Sequence, residues 1–272
     1  MDATTLLPQI AALLATGLCA GFLGGLLGVG GGIVIVPVLE FTLQFVGVPP
    51  EQRMHVAVAT SLATIIPTSI SSSRAHHRRG ALDALIARAW GPAMLAGALA
   101  GSLLASRAPV WVLTSVFGVV ALAVAVKMAL PLDHVRWRHE VPRGAVGGML
   151  SGSIGVVSAM MGIGSGTISV PTMTLLGTPI HRAVGTAAFF GLLVAIPGTL
   201  GYLFAQPNPP IPGWSLGLVS LLGVLLIAPG ALLTAPLGTR VAHALSPRAL
   251  SFAFGLFLLI VAARMLYRSF TA

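Results

Sequence analysis

Long apolar segments separated by short polar breaks run through almost the whole chain. They fall at Leu6–Leu27, Ile33–Phe45, Val56–Ser71, Leu85–Leu104 and Val110–Leu130, then, after a polar stretch, at Ala145–Met161, Ile168–Leu176, Ala183–Phe204, Leu216–Pro236 and Leu250–Leu266. Segments near 20 residues match a hydrocarbon core crossed as a helix. The runs are continuous and rich in Gly, Ala and Leu, not alternating as barrel strands would be. The pattern predicts an all-α integral membrane protein of about ten transmembrane segments. The second segment of each half is short and opens on a glycine-rich run, as a half-helix or one arm of a re-entrant pair would.

The polar breaks divide the chain. Pro131–Arg143 lies near the midpoint and reads as a cytoplasmic linker between an N-terminal membrane repeat, 1–130, and a C-terminal one, 144–272. Arg74–Gly80 reads as a compact basic loop, and Gln206–Pro212, with its prolines, as an extended loop on the opposite side. If ten segments alternate, one side receives ten arginines, at 74, 78, 79, 88, 136, 138, 143, 182, 240 and 248, against three, Arg53, Arg107 and Arg268. Excess basic residues mark the cytoplasmic side. Both termini are then expected outside a cytoplasmic, inner-type membrane.

The two halves resemble each other. GVGGGIVIVP at Gly28–Pro37 aligns with GIGSGTISVP at Gly162–Pro171. HVAVATS from His55 aligns with HRAVGTA from His181, setting Thr60 opposite Thr186, and an Ile-Pro pair recurs at Pro67 and Pro197. Gly101 matches Gly238, Phe117-Gly118 matches Phe254-Gly255, and Met128 matches Met265. Five crossings is an odd number, so the second half would start on the opposite face from the first. The halves are expected to be inverted-topology repeats with glycine-rich broken helices, an architecture suited to alternating access.

Composition sharpens the class. Hydrophobic residues make up 56% of the 272 and charged residues 8%, too few charges to cover a water-facing domain. The net charge of +9 is assigned to membrane topology and not to nucleic acid. Cys19 is the single cysteine, which leaves no disulfide framework, and it reads as a packing residue. The N-terminus, with Asp2 and no basic stretch, is expected to begin the first mature helix and not a cleaved signal peptide. Neither a zinc-protease H-E-x-x-H motif nor a phosphate-binding Walker loop is present, which favours a gradient-driven carrier over an enzyme and predicts no cofactor and no metal.

The glycine runs admit more than one reading. Small-xxx-small pairs such as Gly97/Gly101 and Gly148/Gly152 suit close helix packing, within one chain or in a homo-oligomer. A dinucleotide loop fails because GVGGGI lacks the last glycine and no strand–helix–strand unit surrounds it. The two matched runs, each with a proline five residues on, read better as unwound breaks leading into half-helices. Exposed N–H groups at two such helix starts would form a midplane site for an anion without a buried arginine. The candidate substrate-binding residues are Gly28, Gly30, Gly31, Gly32, Pro37, Thr60 and Ser61 in the first half, and Gly162, Gly164, Ser165, Gly166, Pro171 and Thr186 in the second. Thr167 and Ser169 add further hydroxyls. Any of these side chains can instead bond within its own helix.

Charged residues near segment ends have two roles open to them. Arg53 with His55, and His181 with Arg182, either draw anions into vestibules or anchor helix ends at the interface. Glu40 is a candidate coupling carboxylate, although a place near a span end would let it reach water. His76-His77, beside three arginines, reads as solvated basic sequence and not as a metal site.

The duplicated glycine–proline element, the AxxTS-like element and the later Ile-Pro together resemble the TauE/SafE family of sulfite and sulfonate exporters, over about Gly21 to Met265. The resemblance implies secondary transport of a small sulfur-containing anion, such as sulfite or sulfoacetate, outward across the membrane. It points to Gly28–Gly32, Pro37, Thr60, Ser61, Gly162–Gly166, Pro171 and Thr186. The second run departs from triple glycine, with Ser165 where the first has Gly31. Carriers of sulfate or a carboxylate, an anion channel and an intramembrane enzyme are the competing readings.

Overall fold

The computed structural model describes residues 3–27, 31–129, 141–211, 214–244 and 247–271. Among them are ten helices: α1 Ala3–Leu27, α2 Gly32–Thr42, α3 Pro50–Arg78, α4 Ala84–Ala105, α5 Val110–Ala129, α6 Gly144–Met161, α7 Gly166–Leu175, α8 Ile180–Leu203, α9 Leu221–Ala244 and α10 Pro247–Thr271. A short antiparallel ladder, β1 Ser215–Leu216 with β2 Val219–Ser220, precedes α9.

Six of the helices, α3, α4, α5, α6, α8 and α9, are long and apolar enough to cross a membrane. The chain is therefore read as a multi-pass membrane protein. At 11 and 10 residues, α2 and α7 rise only ~15 Å each, half of a hydrocarbon core. In the spanning windows of α3 and α8, 72% and 61% of residues are buried, against 33–39% in the other four, so these two helices form the centre. Leu85, Trp111, Met149, Leu225 and Leu233 point outward on the surrounding helices, as a lipid-facing surface requires.

The helices pack in pairs: α1 along α9, α6 along α4, α5 along α10, and α3 along α8, with α4 also on α8. Glycines set the distances. A methyl group on Gly155 would stand 2.3 Å from the Met94 carbonyl oxygen, and one on Gly21 would stand 2.5 Å from that of Ala231. No side chain fits there, so the backbones touch, and dispersion between them replaces the hydrophobic drive that lipid cannot supply. Gly185 lies by Ala81, Gly191 by Ser69 and Gly198 by Leu62, so α3 and α8 run antiparallel.

Two expectations are revised. The basic stretch from Arg74 is not a loop: α3 stays helical to Arg78, because Arg, Ala and His tolerate a helix and positive charge in its last turn complements the helix dipole. Residues 216–220 are not the start of a span. They turn through the ladder, with Leu218 N–H on the Tyr202 carbonyl, so α9 begins only at Leu221. The second segment of each half is a helix of 11 or 10 residues, as short as the half-helix read from the sequence. Most of the expected linker, and Gly28 and Gly30, lie outside the described residues.

Candidate functional site

The second glycine run is where α6 stops and α7 starts. Gly162 ends α6 with φ +68°, a left-handed conformation open to glycine at little cost, and Ile163 N–H bonds the Ser158 carbonyl. After two further residues Ser165 caps α7, its carbonyl accepting the N–H groups of Ile168 and Ser169. In the first half Gly31, at φ +78°, plays the capping part for α2, its carbonyl accepting from Val34 and Ile35. The N–H groups of Gly32 and Ile33, and of Gly166 and Thr167, come before the first intrahelical bond of each half-helix. Pro37 and Pro171 each stand at the sixth position of their half-helix, freeing the carbonyls of Ile33 and Thr167 from an intrahelical partner.

The two runs meet. A methyl group on Gly32 would lie 2.9 Å from Ile163 Cα and 3.1 Å from Gly164 N. From this junction α2 leads to the end of the bundle where α3 begins, and α7 to the end where α8 begins. Since α3 and α8 are antiparallel, the half-helices point away from each other with their positive starts together.

The central helices hold the junction. Ser61 of α3 donates to the Gly162 carbonyl at 2.7 Å, and Ser165 donates to the Ala187 carbonyl of α8 at 3.2 Å. Val58 and Ile65 of α3 close on it as well. A methyl group on Gly162 would stand 2.7 Å from Val58 Cα, and Ile65 Cδ1 lies 2.9 Å from one on Gly32. Beside Gly166 there is open space: a methyl group there meets nothing within 4 Å. The hydroxyls of Thr167, Ser169 and Ser158 are buried without a hydrogen-bond partner in the protein, an arrangement that costs free energy unless something else pairs with them.

The sequence-predicted residues separate into groups. Gly31, Gly32, Ser61, Gly162, Gly164, Ser165 and Gly166 come together at the junction. Thr60 and Thr186 do different work. Thr60 Oγ1 accepts the N–H of Ser220 at 3.0 Å, and Thr186 Oγ1 accepts that of Asp83 at 2.9 Å, so each holds the start of another helix, α9 and α4. Arg53 donates to the Val48 carbonyl, and buried His55 bonds the Ala108 carbonyl through Nε2. Arg182 pairs with Asp83 at 3.6 Å, while His181 is exposed. Glu40 does not reach water: it is buried on α2 and paired with Arg264 and Arg268 of α10. Val58, Ile65 and Ser158 were not singled out from sequence. Ile65 follows Ser61 by one helical turn, which is the signal that places it on the same face.

Among the described residues a cavity of about 520 Å³ is lined by one stripe of α3, on the face turned away from Ser61 and Ile65: Pro67, Ile70, Ser71, Arg74, Ala75 and Arg78. Among the described residues no three His, Cys, Asp or Glu side chains gather as a metal centre would require.

Comparison with known proteins matches the chain to one family. Residues 13–265 match the family model described as Sulfite exporter TauE/SafE. A protein of Haemophilus influenzae named "Probable membrane transporter protein" is 36% identical over 256 residues, covering 93% of this chain and 96% of its own. A protein of the same description from Methanocaldococcus jannaschii is 27% identical over 87% of each chain. YunE of Bacillus subtilis, also described so, is 27% identical over 94% of this chain and 96% of its own. No solved structure gives a significant match.

Proposed function

The chain belongs to the sulfite exporter TauE/SafE family, and from that premise we propose that this membrane transporter is a secondary carrier of small sulfur-containing anions, sulfite or organosulfonates such as sulfoacetate, that works by alternating access. The observation that carries the reading is the meeting of the two half-helix starts, with Gly32 against Ile163 and Gly164. Each start carries roughly half a positive charge and unpaired N–H groups. Two of them attract a small anion without the desolvation cost of a buried guanidinium. The unpartnered hydroxyls of Thr167 and Ser169 are donors for oxyanion oxygens.

An inverted repeat of five segments per half is supported by paired contacts. Thr60 holds Ser220 as Thr186 holds Asp83, and Gly21 meets Ala231 as Gly155 meets Met94. Exchanging each helix for the one five places along maps the main pairings onto themselves. A substrate held near the axis between such halves can be exposed to either face by rocking one against the other. The end where α3 finishes and α8 starts carries Arg74, Arg78, Arg79 and Arg182. That end is assigned to the cytoplasm and both termini to the outside, with export the direction of flux.

Flux of sulfite and sulfoacetate into proteoliposomes, with sulfate and lactate as competitors, tests the proposal. Saturable flux with counterflow, lost in Gly164→Leu protein that remains folded, is the expected result. Flux without counterflow would make the protein a channel. Flux of sulfate or lactate alone would overturn the substrate assignment.

A further inference from the structure

We propose that the outward stripe of α3 from Pro67 to Arg78 is a binding site for one anionic phospholipid, with Arg74 and Arg78 on the headgroup phosphate and an acyl chain along Pro67 and Ile70. The inference needs only that the chain sits in a membrane and is independent of what it carries.

Helix length places the stripe. The 29 residues of α3 rise ~43 Å, against ~30 Å for a hydrocarbon core, so the helix extends into the headgroup layer. Its last turn, with His76, His77 and Arg78, is the polar end. From Pro67 to Arg78 the rise is ~16 Å, which carries the stripe from acyl-chain depth to the interface. Residue type follows the same axis. Pro67 and Ile70 are apolar, Ser71 has a hydroxyl to donate, and Arg74 and Arg78 are cationic. A phospholipid presents the matching order of acyl chain, ester carbonyls and phosphate.

Packing leaves this face of α3 open. Of the candidate spans α3 is the most buried, and on its inner side Ser69, against Gly191 of α8, and Ser73 are covered. Positions 67, 70, 71, 74, 75 and 78 fall on the other side, where all but half-buried Ile70 are exposed. The cavity they line, about 520 Å³, lies within the ~300–1,000 Å³ range of small-molecule sites.

Charge selects the occupant. Among the described residues the carboxylate at this end of the bundle, Asp83, is engaged by Arg182 at 3.6 Å and by the N–H groups of Leu85 and Ile86. No described carboxylate lies within ion-pair distance of Arg74 or Arg78. Two guanidinium forks one turn apart match phosphate oxygens, and each adds attraction for a net negative headgroup. A zwitterionic lipid brings its own cation to the same place and gains less.

Native mass spectrometry of the detergent-solubilised chain, mixed with phosphatidylglycerol and phosphatidylcholine of identical acyl chains, reads the site. One phosphatidylglycerol should be retained about tenfold better than phosphatidylcholine. The preference should vanish in Arg74→Gln/Arg78→Gln and persist in Arg79→Gln/Arg88→Gln, which removes the same charge outside the lining. Ser71→Trp fills the middle of the cavity, keeps both arginines and should also lose the bound lipid. No preference in the unaltered chain, or an equal loss in both glutamine pairs, overturns the site and leaves the arginines as hydrated interface groups. If Arg74→Gln/Arg78→Gln fails to fold, Ser71→Trp decides, and undiminished retention there overturns the site. Displacement by glycerol phosphate, which has the headgroup without the chains, overturns the lipid assignment in favour of a free anion.

Discussion

Arg264 Nη2 donates to Glu40 Oε2 at 3.2 Å across 224 residues of sequence, and Arg268 engages the other carboxylate oxygen, so the half-helix α2 is pinned at its far end to α10. The carboxylate is 1% exposed, whereas the Arg264 and Arg268 side chains are 42% and 30% exposed. Arg264 also lies over the Phe41 ring, 5.1 Å from its centroid.

Glu40→Gln keeps the shape and removes the charge. Because both guanidinium groups can turn to water, the loss should fall below the 3–5 kcal/mol of a fully buried pair, at about 1–3 kcal/mol. A thermal unfolding midpoint in detergent lowered by several degrees is the expected result. An unchanged midpoint would mean that the ion pairs contribute nothing to stability.

The glycines of the junction should differ sharply under the same substitution. Gly162→Ala forces a left-handed residue and a 2.7 Å approach to Val58 Cα, and Gly32→Ala forces 2.9 Å to Ile163 Cα. Each should cost about 1–3 kcal/mol and at least a tenfold loss of transport. Gly166→Ala meets nothing within 4 Å and should fold normally. Equal stability of all three in a melting assay would contradict the close contact of the runs.

Thr60→Val removes the acceptor of a buried backbone N–H, that of Ser220, and should destabilise by about 1–3 kcal/mol. Thr186→Val should cost less, because its partner, the Asp83 N–H, is only partly buried. Thr60→Ser restores the oxygen and should recover most of the loss. Hydrogen exchange at Ser220 reads the effect directly, and exchange there that is no faster in Thr60→Val would reject the assignment.

Helix contact offers a matched pair. Gly155→Val drives a side chain into the Met94 carbonyl, 2.3 Å from the ideal Cβ position, and should abolish folded yield. Gly148→Ala, whose nearest neighbour is 3.9 Å away, should leave yield unchanged. Comparable monodisperse protein from both would show that α4 and α6 do not depend on this approach.

Much of the fold was legible because its causes are local. Glycine clusters weaken helices wherever they occur, so the break at Gly162–Ser165 was readable, as was the short helix after it. The shared order of glycine, threonine and proline features is the sequence signal on which the proposed repeat rests. The end of α3 was less legible: a run of arginines and histidines looks like solvated loop, and only the continuing helix aligns Arg74 and Arg78 with Pro67 and Ser71 along one cavity.

By itself the sequence determined a membrane-embedded helical chain with two short, glycine-led helices, since these follow from hydropathy and helix propensity. Tertiary structure decided which groups meet. Thr60 and Ser220 are 160 residues apart, Thr186 and Asp83 103 apart, and Gly32 touches Ile163 from the other half of the chain. No local rule foretells such contacts, because they depend on how antiparallel α3 and α8 bring the two halves together. The same packing made Thr60 and Thr186 the acceptors that hold the starts of α9 and α4, and covered Glu40 with α10.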